Sequence, residues 1–224
     1  MKAIGFFGGT FAPIHNGHLR LALELRDLLG LDEVRVVPSA RPPHRAAPGV
    51  SAERRMDWVR LALGNEPGLV ADDRELRRAA RFGVASYTVD SLAELRDEQP
   101  TARLCLLIGD DAANGLQGWH RWRELLDHAH LVVVSRPGTE PAPAAEVAAF
   151  LASRRATSVH ALHEATHGRW LPVAVPGLQI SSTRIRQLLH EGRSLRGLVP
   201  EAVIQTLKPE DVRALTIEET AIHD

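Results

Sequence analysis

At 224 residues, 44% hydrophobic and 25% charged, the chain is long enough to bury a full core as one α/β domain. Its 27 basic and 28 acidic residues leave a formal charge of -1, which argues against a general nucleic-acid or membrane-surface binder. Only Lys2 and Lys208 are lysines, so side-chain contacts to phosphate fall to arginine, whose planar fork suits phosphate oxygens.

Short apolar runs alternate with helical patterns, as in a parallel sheet covered by helices on both faces, a doubly wound Rossmann-like arrangement. "AIGFF" at 3–7 reads as a buried first strand that leads into Gly8, Gly9 and Thr10. From His18 to Leu29 the residues Leu19, Ala22, Leu23, Leu25, Leu28 and Leu29 form a helical stripe, and Gly30 ends it. "EVRVVPS" at 33–39 is a second strand, stopped by the proline loop "ARPPHRAAPG". Ser51 caps a helix over "AERRMDWVRLALG", with Glu53 in the favourable first turn.

A short strand falls near 69–71, and "SYTVDSLAELRDE" is helical. "RLCLLIG" at 103–109 and "HLVVVSRPG" at 130–138 are further continuous apolar strands whose ends project loops into a common crevice. Cys105 lies inside the first of these and reads as an unreactive buried thiol of a reducing compartment. "GTEPAPAAE" at 138–146 is a surface linker, followed by a helix over 144–155 and a poorly patterned stretch to about 170. "LPVAV" is the last strand, and a helix begins within "ISSTRIRQLLHEG". Residues 1–208 read as the domain and 209–224 as a polar, loosely held tail. No run approaches the roughly 18 apolar residues of a membrane span, and the first residues are too short for a signal h-region. A cytoplasmic setting is expected, with no membrane or nucleic-acid partner.

In a doubly wound sheet, ligands bind outside the carboxyl ends of the strands, where strand order reverses. Gly8 and Gly9 after the first strand permit a tight turn and a close approach of backbone N–H groups to an anion. The segment lacks both the lysine of a phosphate loop and the three-glycine dinucleotide pattern. It carries instead His15 in the loop and His18 in the first helical turn, both placed to face that anion. Imidazoles there can donate to phosphate oxygens and, when protonated, offset charge that grows in a transition state. A second anion site falls at "ISSTRIR", where Ser181, Ser182 and Thr183 supply hydroxyls at a helix N-terminus and Arg186 lies on nearly the same face. Two such helix starts suggest a polyphosphate substrate.

"HEATH" at 163–167 matches the two-histidine zinc-protease pattern. That chemistry needs both histidines on one helical face and a third ligand, whereas Gly168 and Pro172 stop any helix at the second histidine. A surface histidine cluster is the expectation.

Taken in order, "GGTFAPIHNGHL", "RPPHR", "SYTVDSL", "LLIGDD", "WHRW", "SRPG" and "ISSTRIR" resemble the bacterial nicotinate-nucleotide adenylyltransferases, from about Ala3 to Leu207. The HxGH and ISSTxIR pair alone resembles the wider nucleotidylyltransferase superfamily. The resemblance implies transfer of the adenylyl group of ATP to nicotinate mononucleotide, giving deamido-NAD and pyrophosphate, with Mg²⁺ on the triphosphate. It implies that His18 stabilises the transition state, that His15 helps to hold the phosphates and that Arg136 joins them. Gly109 and Asp111 resemble the adenosine-binding positions. Trp119 resembles the residue that stacks on the pyridine ring, and Tyr87 and Thr88 resemble the segment whose donors meet its carboxylate. His44 and Arg45 are placed near the mononucleotide phosphate. A monomer or small homo-oligomer is expected.

Two departures stand out. The family usually carries Asp or Asn where this chain has Ala12, and "TLKPEDVRALTIEETAIHD" replaces an aromatic-bearing C-terminal ending. A polar side chain at position 12 would tie the loop by a hydrogen bond worth about 1 kcal/mol, so its loss is expected to loosen the histidine loop. The alternatives are a sister nucleotidylyltransferase with another phosphate acceptor, or a nucleotide-binding protein with weakened catalysis.

Overall fold

The computed structural model describes residues 1–41, 49–135 and 142–220, the last four of these by backbone alone. Six strands, β1 (Ala3–Gly9), β2 (Glu33–Pro38), β3 (Leu69–Ala71), β4 (Arg103–Gly109), β5 (His130–Ser135) and β6 (Trp170–Ala174), form one parallel sheet in the order β3-β2-β1-β4-β5-β6. The order reverses between β1 and β4, so their carboxyl ends, at Gly9 and Gly109, flank the switch-point crevice.

Strands β1, β4 and β5 are buried on both faces, which explains the continuous apolar runs. The two-residue period divides their side chains. Phe7, Val36, Cys105 and Leu107 pack on one face against Ala22, Leu25 and Leu29 of α1 (Asn16–Leu29) and Trp58 and Val59 of α2 (Ala52–Leu63). Ile4, Phe6, Leu104 and Leu106 pack on the other against Leu92 and Leu95 of α4 (Thr88–Glu98). The helix α3 (Arg74–Phe82) crosses between β3 and α4. Burial pushes the Cys105 thiol up to about 12, so it stays protonated.

Helix α1 stops where Gly30 adopts a left-handed φ of 58° and its N–H closes on the Arg26 carbonyl. Ser51 caps α2 by accepting the Arg54 N–H at 3.2 Å. Helix α3 carries no apolar stripe to signal it. Its inward face is Arg74, at 0% exposure, and Glu75, at 5%, with Arg74 paired to Asp72 at 2.8 Å and Glu98 at 3.1 Å. The fold buries Arg74 there by pairing it, which hydrophobic periodicity does not record.

Beyond β4 come α5 (Asp110–Asn114), α6 (Leu125–His128) and α7 (Ala145–Ala152), then α8 (Ser182–His190), α9 (Glu201–Ile204) and α10 (Pro209–Thr220). The loosely held tail is therefore corrected over 209–220, which are helical. Leu215 enters the core, and buried Asp211 accepts from Arg54 of α2 and from the Lys208 N–H at 2.9 Å. Two acidic residues in the first turn, Glu210 and Asp211, conceal that anchorage in the sequence. No helix among the described residues is long and apolar enough to cross a membrane.

Candidate active site

A cleft of about 690 Å³ opens at the switch point. Gly8, Gly9, Thr10, His18, Tyr87, Thr88, Gly109, Asp111, Trp119 and Ser182, all expected at the site, line it. His44, Arg45 and Arg136 lie outside the described residues.

The double glycine does not make the turn. Gly8 and Gly9 continue β1 and pair with Val37 and Pro38 of β2. The chain reverses two residues later, with Phe11 in left-handed backbone at φ 50°. What Gly9 supplies is space, since a Cβ there would sit 2.9 Å from the Phe11 ring. Arg55 of α2, itself buried, clamps this loop to the one after β2 by donating to the carbonyls of Thr10 at 2.6 Å and Ser39 at 2.7 Å. Nothing in an amphipathic helix pattern marks Arg55 for that task.

The two histidines do not both face the cleft. His18 lines it, while His15, at 4% exposure, stacks behind with ring centroids 3.6 Å apart. Phe11 meets His18 edge-on at 5.0 Å, and Phe7 lies at 6.2 Å. The His15 N–H donates to His18 Nδ1 at 3.3 Å, so the neutral His18 ring carries its proton on Nε2. Burial lowers the His15 imidazole to about 4 and pushes His18 well below its ordinary value, with His15 beside it acting in the same direction. Both rings are thus neutral at pH 7, which leaves one neutral N–H donor backed by a stacked ring. Apolar walls disfavour the imidazolium.

At the second helix start, Ser181 spends its hydroxyl on capping α8, accepting from the Arg184 N–H at 3.1 Å. Arg186 donates to the Ala12 carbonyl and to Thr183 Oγ1, each at 3.3 Å. Its Nε is buried and has no hydrogen-bond partner among the described residues. Only Ser182 of this group reaches the cleft lining. The loop around Ala12 is held by contacts that do not involve the side chain at position 12. Asn16 donates through its backbone to Leu198 at 2.8 Å and through its side chain to the Gly197 carbonyl at 2.9 Å, adding to the Arg55 and Arg186 contacts.

Opposite the histidine turn, α4 begins at Tyr87 with no side-chain cap, leaving first-turn N–H groups available at the cleft. The Tyr87 ring lies 4.2 Å from that of His120, which also lines the cleft beside Trp119. Ser39, Glu75, Ser86 and His120 are lining residues that the sequence did not single out. Glu75 and Ser86 are the least visible, because they come from a helix and loop without apolar periodicity. In "HEATH", residues 160–164 form a 3₁₀ turn, Glu164 lies 3.7 Å from Arg169, and no metal-holding group of three ligands occurs among the described residues.

A parallel sheet with this switch-point cleft, a glycine pair at β1 and a histidine opening α1 defines a nucleotidyl-transfer scaffold, and the chain belongs to the cytidylyltransferase-like family, whose model matches residues 6–188. It is similar to a protein of Aeromonas hydrophila named "Probable nicotinate-nucleotide adenylyltransferase", at 50% identity over 92% of this chain and 95% of that one. A Halorhodospira halophila protein of the same name is 46% identical over 92% of each chain. The Plasmodium falciparum nicotinic acid mononucleotide adenylyltransferase solved with NaAD covers 100% of this chain and 99% of its own at TM-score 0.64. At 14% identity that likeness concerns the fold.

Proposed function

We infer that the chain transfers the adenylyl group of ATP to nicotinate mononucleotide, forming deamido-NAD and pyrophosphate. The observation that carries this reading is a single cleft with two differently equipped ends. A histidine N–H donor stands at the start of α1, and an uncapped helix start stands beside Tyr87, Thr88 and Trp119. The names of the close bacterial relatives support it.

The acceptor's phosphate oxygen attacks the α-phosphorus of ATP. As that P–O bond forms, the bond to the bridging oxygen of the β-phosphate breaks, and its electron pair leaves with pyrophosphate. The nucleophile is already ionised, so no general base or covalent enzyme intermediate is required. In this reading His18 Nε2–H donates to the phosphate oxygens as charge moves toward the leaving group, and a neutral donor there needs no reorganisation. His15 acts from behind by fixing the His18 tautomer through its backbone N–H. Ser182, and Arg186 once released from the Ala12 carbonyl, meet the triphosphate, with Arg136 assigned by resemblance. Asp111 and the Gly109 backbone serve the adenosine. Trp119 stacks on the pyridine ring, whose carboxylate suits the α4 start better than a neutral amide does. His44 and Arg45 take the mononucleotide phosphate.

In this reading the divalent cation enters with its substrate ATP. Mg²⁺ keeps most of its waters and binds phosphates readily, and as MgATP it neutralises triphosphate charge. The buried, protonated Cys105 fits a reducing cytoplasm.

A pyrophosphate-release assay with ATP and, in parallel, nicotinate mononucleotide, nicotinamide mononucleotide and phosphopantetheine tests the reading. Turnover is expected with nicotinate mononucleotide foremost. Turnover with phosphopantetheine alone would assign a sister transferase, and ATP binding without any product would assign a weakened nucleotide-binding protein.

A further inference from the structure

Glu75 is the buried carboxyl that the proposed chemistry leaves without a task. Its neighbour Arg74 is held by two carboxylates, but Glu75 makes no ion pair among the described residues. Its Oε1 accepts the Ser91 hydroxyl at 3.0 Å, and Oε2, also buried, has no partner at hydrogen-bond distance among the described residues. Burial pushes this carboxyl above its ordinary range, while Ser86, Ser91, Arg78 and the Ala40 N–H act in the other direction. Burying such a group is costly, and an apolar side chain would fill the space at lower cost.

What the carboxyl does is join elements that wall one end of the cleft. Ser91 sits in the first turn of α4, and it also takes Arg78 Nη2–H of α3 at 2.7 Å, while Arg78 Nη1 reaches Glu94 at 3.0 Å. Ser86, just before α4, exchanges two bonds with the Arg41 backbone, at 3.0 Å and 3.1 Å. Glu75, Ser86, Tyr87 and Thr88 all line the cleft. A first turn whose N–H groups must meet a ligand works only if it is held in place, and its own N-cap residue supplies no side-chain bond.

We propose that Glu75 is a positioning residue for the acceptor: through Ser91 it holds the first turn of α4 so that the N–H groups beside Tyr87 and Thr88 meet the acceptor's carboxylate. This deepens the adenylyl-transfer reading and rests on it.

Steady-state kinetics of the full chain, varying ATP and nicotinate mononucleotide separately, test the assignment with Glu75→Ala, Glu75→Gln and Ser91→Ala. Glu75→Ala and Ser91→Ala are expected to raise KM for the mononucleotide about tenfold, the worth of a lost buried hydrogen bond, with KM for ATP changed less than about twofold. Glu75→Gln keeps an oxygen for the Ser91 hydroxyl and is expected to stay near the parent. Equal changes in both KM values, an unshifted acceptor KM, or a Gln variant as impaired as Ala would overturn the proposal. If Glu75→Ala does not fold, Ser91→Ala is read by the same criterion. A parent chain that turns over no nicotinate mononucleotide sinks the functional reading and the proposal with it. A parent that turns over normally beside variants with unshifted acceptor KM sinks the role of Glu75 alone.

Discussion

At the start of α1 the cleft receives what the fold has left over, whereas at the start of α8 the fold has already used nearly everything. His18 gives its Nδ1 to a backbone N–H and keeps one donor for the cleft. Ser181, Thr183 and Arg186 bond to one another's neighbourhood or to the Ala12 carbonyl, and Ser182 alone reaches the lining. The two segments look equally suited to phosphate in sequence. The difference teaches that the first presents a donor as folded, and that the proposed triphosphate role of the second would require Arg186 to exchange its present bonds.

The contrast breaks most visibly at His18. His18→Ala is expected to cut kcat by about 100- to 1,000-fold, as loss of an oxyanion donor does, while the ATP dissociation constant from calorimetry moves only a few-fold. Equal loss of both would make His18 a ground-state ligand. Arg186→Ala is expected to act the other way round, weakening ATP binding by about tenfold or more with a smaller change in kcat, because a charged hydrogen-bond partner is removed from the ground state. An unchanged ATP affinity would mean that Arg186 never leaves the Ala12 carbonyl.

Acid sharpens the same comparison. His15 at about 4 and His18 well below 6.5 both lie under the value of an unfolded histidine, so the folded chain binds fewer protons between those limits. Stability is therefore full above about 6.5 and falls as pH drops toward about 4. His130 adds to the trend, since it is buried, lowered to about 4, and uses both ring nitrogens, toward the Ala165 carbonyl and the Arg169 N–H. Denaturant midpoints at pH 7 and pH 5 check the sign, and histidine NMR should show His18 neutral and protonated on Nε2 at pH 6. The smallest effect is expected for Ala12→Asp. The loop is already held by Arg55, Asn16 and Arg186, so turnover should change less than about threefold, and a tenfold gain would show that position 12 limits catalysis.

Most of the scaffold was legible because parallel strands buried on both faces announce themselves as apolar runs. The ends of β4, the Ser51 cap and the Gly30 stop follow from local rules. Helix α3 escaped because an ion-paired arginine and a hydrogen-bonded glutamate, rather than an apolar stripe, form its inner face. Helix α10 escaped because its anchorage is an ion pair between Asp211 and Arg54, far apart in sequence. In the site, the residue types and their neighbourhood were legible, and their orientation was not.

The amino-acid sequence by itself determined that the first strand delivers glycines and histidines to a helix start, and that serines and an arginine open another. Those are local consequences of periodicity and capping. Tertiary structure alone decided that His15 stands behind His18, that Arg186 is engaged with the Ala12 carbonyl, and that Glu75 joins the wall of the cleft. Each of these depends on which desolvated polar atoms find partners from distant segments, and that pairing is settled only when the sheet brings those segments together.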